Sequence, residues 1–199
     1  MIRTHRFLPL LAFALFACGD GGVVIEATST TRANIEDEQG LQGPQLLLTI
    51  REIHAHVVGG PKEEKKPRKR DDRLEWKTKK GHWRVARLER PHTIDLLELE
   101  EKTVHLGSLD LPEGKITQIR LFLDEEGPNE YVRADGTRCP LHIPSANQTG
   151  IKIIKPFKVE VDGDEEVHLV IDFNLKESIR KDEGCSYRLS PVFKVRVRD

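Results

Sequence analysis

Aromatic residues make up only 6% of the 199 positions, too few for the interleaved stacking platforms that hold single-stranded nucleic acid. Charge of one sign is also missing. Lysines and arginines number 32 against 33 acidic residues, so a net charge of -1 gives no global field to draw in nucleic acid or an acidic surface. Catalytic signatures are absent as well: there is no G-x-S-x-G elbow, no H-E-x-x-H, no P-loop and no dinucleotide-binding glycine pattern. The expectation is a protein that is not an enzyme, carries no cofactor and binds no nucleic acid. Helical periodicity never persists for three turns in the body of the chain, which points away from helical folds.

Long hydrophobic runs are lacking too. The apolar stretch Phe7 to Ala17 falls short of the roughly 20 residues that a membrane-spanning helix needs. It follows Arg3, His5 and Arg6, the charge-then-hydrophobe layout of a secretory signal. Its end, Leu15-Phe16-Ala17-Cys18, resembles the lipobox of bacterial lipoproteins, with leucine at minus three and a small residue at minus one before the cysteine. That resemblance implies a signal peptide over 1–17, a lipid (palmitate) on Cys18, and a protein anchored to membrane in the bacterial cell envelope. Gly19, not Asp20, directly follows the cysteine, so the aspartate retention rule gives no inner-membrane signal. The outer membrane or outer surface is expected. Residues 18–45 are glycine-rich and then polar, and read as a flexible tether.

From Leu46 the pattern is that of strands. Leu46 to Val58 begins apolar and becomes alternating, with Ile53, Ala55 and Val57 on one face and Ile50, Glu52, His54 and His56 on the other. Gly59-Gly60-Pro61 opens a charged insertion at about 60–75, including Lys62 to Arg73, read as a solvated hairpin loop. Trp83 to Leu88, Thr93 to Leu99 and Val104 to Leu109 are three further expected strands. In Ile116 to Leu123, Thr117, Ile119, Leu121 and Leu123 form the expected core face, against Ile116, Gln118, Arg120 and Phe122. Short strands follow at Tyr131, Thr137 to His142, Ile151 to Val161, Val167 to Phe173 and Tyr187 to Val197, with one or two helical turns at Leu175 to Lys181. Nine or ten short strands spaced by turn residues predict an all-β chain. Its single domain, 46–199, is read as an antiparallel β-sandwich of general immunoglobulin or transthyretin-like architecture, with a closed β-barrel as the alternative.

Three groups of residues are candidates for chemistry. Cys139 and Cys185 form an even pair once Cys18 is lipidated, and a disulfide bond is expected in an exported protein. His54 and His56, two apart on a strand, project to one face with the spacing of paired metal ligands. Cupin metal sites use such a pair with a third histidine behind a Pro-x-Gly turn. Here Pro112-Glu113-Gly114 supplies the turn, but Thr117 stands where that histidine would be, and no glutamate follows His56 at the usual distance. The loop IPSANQTGIKI offers Ser145, Asn147, Gln148 and Thr149 as candidate ligand-binding residues. It also reads as a structural hinge whose polar side chains satisfy the turn and whose Gly150 supplies backbone freedom.

From about Leu46 onward the chain resembles the bacterial lipoprotein domains grouped as domain of unknown function 4382. Five segments carry the resemblance in order: Trp83 with IDLLEL, LPEGKITQIRL, IPSANQTGIKI, VIDFNLKESI and YRLSPVFKV. The resemblance implies a fold and no mechanism. Two functions stay open: an envelope protein that interacts with or assembles other envelope proteins, and a module that binds carbohydrate or another ligand. The 145–150 loop has no aromatic residue on which a sugar would stack, which favours a protein partner.

Overall fold

Thirteen strands, two single-turn α-helices and one 3-10 turn make up the residues described by the computed structural model: 21–31, 44–59, 81–100, 102–111, 114–154, 159–161 and 166–198. The expected signal peptide, Cys18 and the charged insertion expected at about 60–75 all lie outside these residues. The strands form two sheets packed face to face around one apolar core, a β-sandwich and not a closed barrel.

The smaller sheet runs β13-β10-β1-β4, with β1 at Gly21–Thr31, β4 at Val104–Leu111, β10 at Val167–Asn174 and β13 at Phe193–Arg198. Its centre overturns one expectation. Residues assigned to a tether form β1, parallel to β10 and antiparallel to β4. Val23, Ile25 and Ala27 are completely buried. The stretch reads as polar because the partners of its polar side chains are far away in sequence. The Thr28 hydroxyl donates to the Lys102 carbonyl at 2.6 Å and Ser29 donates to the Phe173 carbonyl at 2.8 Å. Glu26 pairs with Arg198 at 3.1 Å. The two hydroxyls satisfied in this way carry little penalty, while Glu26 Oε2 is buried without a hydrogen bond.

The larger sheet is organised on β2 (Gln45–Val58). The strand β3 (His82–Asp95) runs along one side of it. Along the other side β5 (Gly114–Leu123) and β6 (Glu130–Val132) lie end to end. Beyond β5 come β8 (Ile151–Ile153) and β9 (Val159–Val161). Beyond β6 come β7 (Arg138–His142), β12 (Tyr187–Leu189) and β11 (Ile179–Lys181). The pairings β1 with β10 and β7 with β12 are parallel, so the sandwich is mixed and not purely antiparallel.

Two bulges correct the expected face assignments. The register of β2 shifts between Ile50 and Glu52, and that of the β2–β5 pair shifts again between His56 and Val57. A bulge inserts one extra residue and reverses the alternation beyond it. Ile50 therefore joins Ile53, Ala55 and Val57 in the core, at 1% exposure, and Ile116 joins Ile119, Leu121 and Leu123, while Thr117 stays half-buried. The two strands expected at Trp83 to Leu88 and Thr93 to Leu99 are one long strand followed by the 3-10 turn Leu96–Leu99, whose first turn is capped by the Asp95 side chain.

Corners between the sheets account for several sequence signals. The β4–β5 connection passes from the smaller to the larger sheet. After β10, the helix α2 (Leu175–Ser178) makes the same crossing, with Asn174 accepting from Glu177 N at 3.3 Å. The chain returns at Ser190 to Val192, between β12 and β13. There the fully buried Ser178 hydroxyl donates to the Asn174 carbonyl at 2.7 Å and accepts from Val192 N at 2.8 Å.

Candidate functional site

On the outer face of the larger sheet the registers bring together residues from four strands. Trp83, His56 and Gln118 form one row, and Val85, His54, Arg120 and Lys152 form the next. Glu52 and Phe122 make a third. Side-chain contacts knit the rows together. The His56 ring lies 5.0 Å from the Trp83 indole, and the His54 ring lies 4.3 Å from Phe122. The Arg120 guanidinium reaches across β2 to stand 4.4 Å over the Trp83 ring, within cation–π distance. Trp83 and Val85 stay 40% and 52% exposed near the start of β3, beside these rings and the guanidinium.

Both histidines are engaged. His54 Nε2 lies 2.9 Å from a Glu52 carboxylate oxygen, and His56 Nδ1 lies 2.7 Å from the Thr117 hydroxyl. Thr117 is the bulge residue, and its hydroxyl also donates to the His56 carbonyl at 3.2 Å. The position where a cupin would hold its third ligand thus does face His56, but it bears a hydroxyl. Among the described residues no group of three or more His, Cys, Asp or Glu side chains gathers as a metal would require.

The second candidate, Ser145 to Thr149, lies elsewhere. Helix α1 (Ala146–Thr149) is a single turn closed on itself, with Thr149 N and its hydroxyl both donating to the Ser145 carbonyl. Ser145 takes a left-handed φ of 59°, and Gly150 follows at φ 70°. A side chain on Gly150 would come within 2.9 Å of the Leu121 carbonyl oxygen. The loop borders a cavity of about 300 Å³ with Asn129, His142 and Leu123, at the end of β5. His54 and His56 do not line it. Phe122, touching His54 on one side and close to Gly150 on the other, is the link between the two regions.

Cys139 and Cys185 are joined by a disulfide, their Cα atoms 5.1 Å apart. The bond ties β7 to the segment entering β12, two strands paired in parallel. Among the described residues no helix is long and apolar enough to cross a membrane.

Residues 28–191 match a family described as a domain of unknown function (DUF4382). The chain belongs to that family. No curated protein and no solved structure matches it. Three segments that carry the DUF4382 resemblance are the corners already described: LPEGKITQIRL runs from β4 into β5, VIDFNLKESI from β10 through α2, and YRLSPVFKV from β12 to β13. Alternation finds the two histidines in the sequence, but Arg120, Phe122 and Lys152 join them only through strand pairing. The one cue to their partner was the alternating Trp83-Arg84-Val85.

Proposed function

We propose that this chain is a lipid-anchored protein of the bacterial cell envelope whose sandwich is a non-catalytic binding domain, using the outer face of the larger sheet as its recognition surface. The observation that carries the binding role is the exposed Trp83 and Val85 beside Arg120, His54, His56 and Phe122. Fold alone would not supply it, since sandwiches serve unrelated functions. The Ser145 to Thr149 loop ranks below this face because its turn is closed by its own hydrogen bonds.

The lipobox-like end of the apolar run supports the anchor. With Cys18 lipidated, Gly19 and Asp20 are all that precede β1, and three residues extend about 10 Å at most. The domain then sits close to the bilayer. The start of β1 and the end of β2 share one end of the sandwich, because Gly21 pairs with Leu111 and Val58 pairs with Lys115. The cavity beside Ser145 lies at the opposite end, at the termination of β5.

Fractionation and binding together test the reading. A Cys18→Ala variant should lose lipid labelling and leave the membrane fraction. Trp83→Ala should reduce retention of the purified protein on isolated envelopes while the protein stays folded, its Tm lowered by the lost ring contacts with His56 and Arg120. Full retention by the folded Trp83→Ala protein would remove the sheet face from the function.

A further inference from the structure

Resting on the reading of this face as a binding surface, we infer that its ligand is an anionic glycan, a polymer of carboxylated sugars whose acid groups meet Arg120 and Lys152 while a sugar ring lies against Trp83. Arg120 and Lys152 are register partners on β5 and β8 and lie on one face, but the guanidinium leans across β2 onto Trp83, so the two cations stand at separate points along that face for a polymer to span. Neither forms an ion pair with any described residue, and Arg120 Nε is buried without an acceptor. The nearby carboxylate that would otherwise serve, Glu52, lies against His54 Nε2.

The guanidinium is held in place by its stacking on Trp83, which leaves a planar fork suited to a carboxylate. Indole surface beside that fork separates this ligand class from an acidic peptide. A sugar ring offers a flat, C–H-rich face to the indole together with the acid, whereas a run of glutamates offers the charge alone.

The test uses full-length protein in detergent, with affinity measured for polygalacturonate, methyl-esterified polygalacturonate and poly-L-glutamate. Polygalacturonate should bind, lose affinity as its carboxylates are esterified, and weaken with added salt. Trp83→Ala, Arg120→Gln and Lys152→Met should each raise its Kd about tenfold, a shift typical of losing one charge-assisted or stacking contact. Lys152 is exposed, so its variant keeps the fold and secures the comparison if Arg120→Gln is unstable. Equal binding of the esterified polymer would overturn the anionic class and leave the binding face standing. Equal binding of poly-L-glutamate would replace the glycan with an acidic protein partner. Absence of all polymer binding, with Trp83-dependent envelope retention preserved, would overturn the glycan alone. Polygalacturonate binding indifferent to all three variants would remove the face as well.

Discussion

Replacing Ile25 with alanine tests whether β1 belongs to the core. Ile25 is fully buried at the centre of the smaller sheet, with Leu169 beside it on β10 and Gly107 opposite on β4. Gly107 leaves a gap that the Ile53 side chain fills from the other sheet: a Cβ there would sit 2.9 Å from Ile53 Cδ1. Ile25 therefore borders the point where the two sheets interlock. The substitution deletes three carbons, a transfer loss of about 2.4 kcal/mol at roughly 0.8 each. A cavity that only partly collapses raises the cost to about 3 to 4 kcal/mol. At roughly 2 to 4 °C per kcal/mol for a chain of this size, Tm should fall by about 6 to 16 °C. Thermal and urea melts followed by circular dichroism measure this, with Ile154→Ala as control, since Ile154 is 54% exposed and should change stability by less than about 0.5 kcal/mol. If Ile25→Ala melts like Ile154→Ala, β1 is not a core strand and the tether reading returns.

Three other outcomes follow from the same structure. Gly150→Val forces a β-branched residue to φ 70° and sets a Cβ against the Leu121 carbonyl, so it should cost on the order of 2 to 3 kcal/mol in a urea melt; unchanged stability would mean the turn has another conformation. Cys185→Ser opens a loop of 46 residues, and the chain-entropy argument gives a loss of about 4 kcal/mol, read as a lower urea midpoint that matches the reduced wild type. Hydrogen bonding and attraction from Lys115 hold the Glu160 carboxyl below its ordinary range, and Thr137 does the same for Asp135. Such groups favour the fold above their unfolded pKa and lose that contribution as pH falls through the folded one. Glu160→Gln should therefore flatten the stability profile slightly below about pH 5, a small effect because the group is fully exposed.

What the sequence made legible was governed by local pattern. Alternation in Ile53-Ala55-Val57 and Ile119-Leu121-Leu123 located the core faces of the two central strands, because half-buried strands impose a period of two. Pairing is a long-range property and leaves no such trace. Val23, Ile25 and Ala27 carry that same period of two within Gly21 to Thr31, and only the identity of the covering strands β10 and β4 is non-local, as are the partners of Thr28 and Ser29, 74 and 144 residues away. Likewise His54 and His56 were visible as a pair, while Arg120 and Lys152 reach the same surface only through the register of β2, β5 and β8. Trp83 and Phe122 are two of the few aromatics, and both lie on the sheet.

The two bulges tie the core to the recognition face. A regular β2 would carry Ile50 outward with Glu52, His54 and His56, trading a core side chain for a lost anchor on the outside. The extra residue at Arg51, opposite β5, lets Ile50 and Ile53 both point inward and leaves Glu52, His54 and His56 on the face that carries Trp83 and Val85. The second irregularity works the same way on β5. It turns Ile116 into the core and frees the Thr117 hydroxyl to bond both the ring and the carbonyl of His56. Each bulge gives up a regular ladder pair, and each falls beside the aromatic and cationic cluster. Irregularities of that kind concentrate where a strand must aim side chains instead of only burying them. That coincidence is a second, independent reason to seek the ligand on this face and not in the self-closed turn at Ser145.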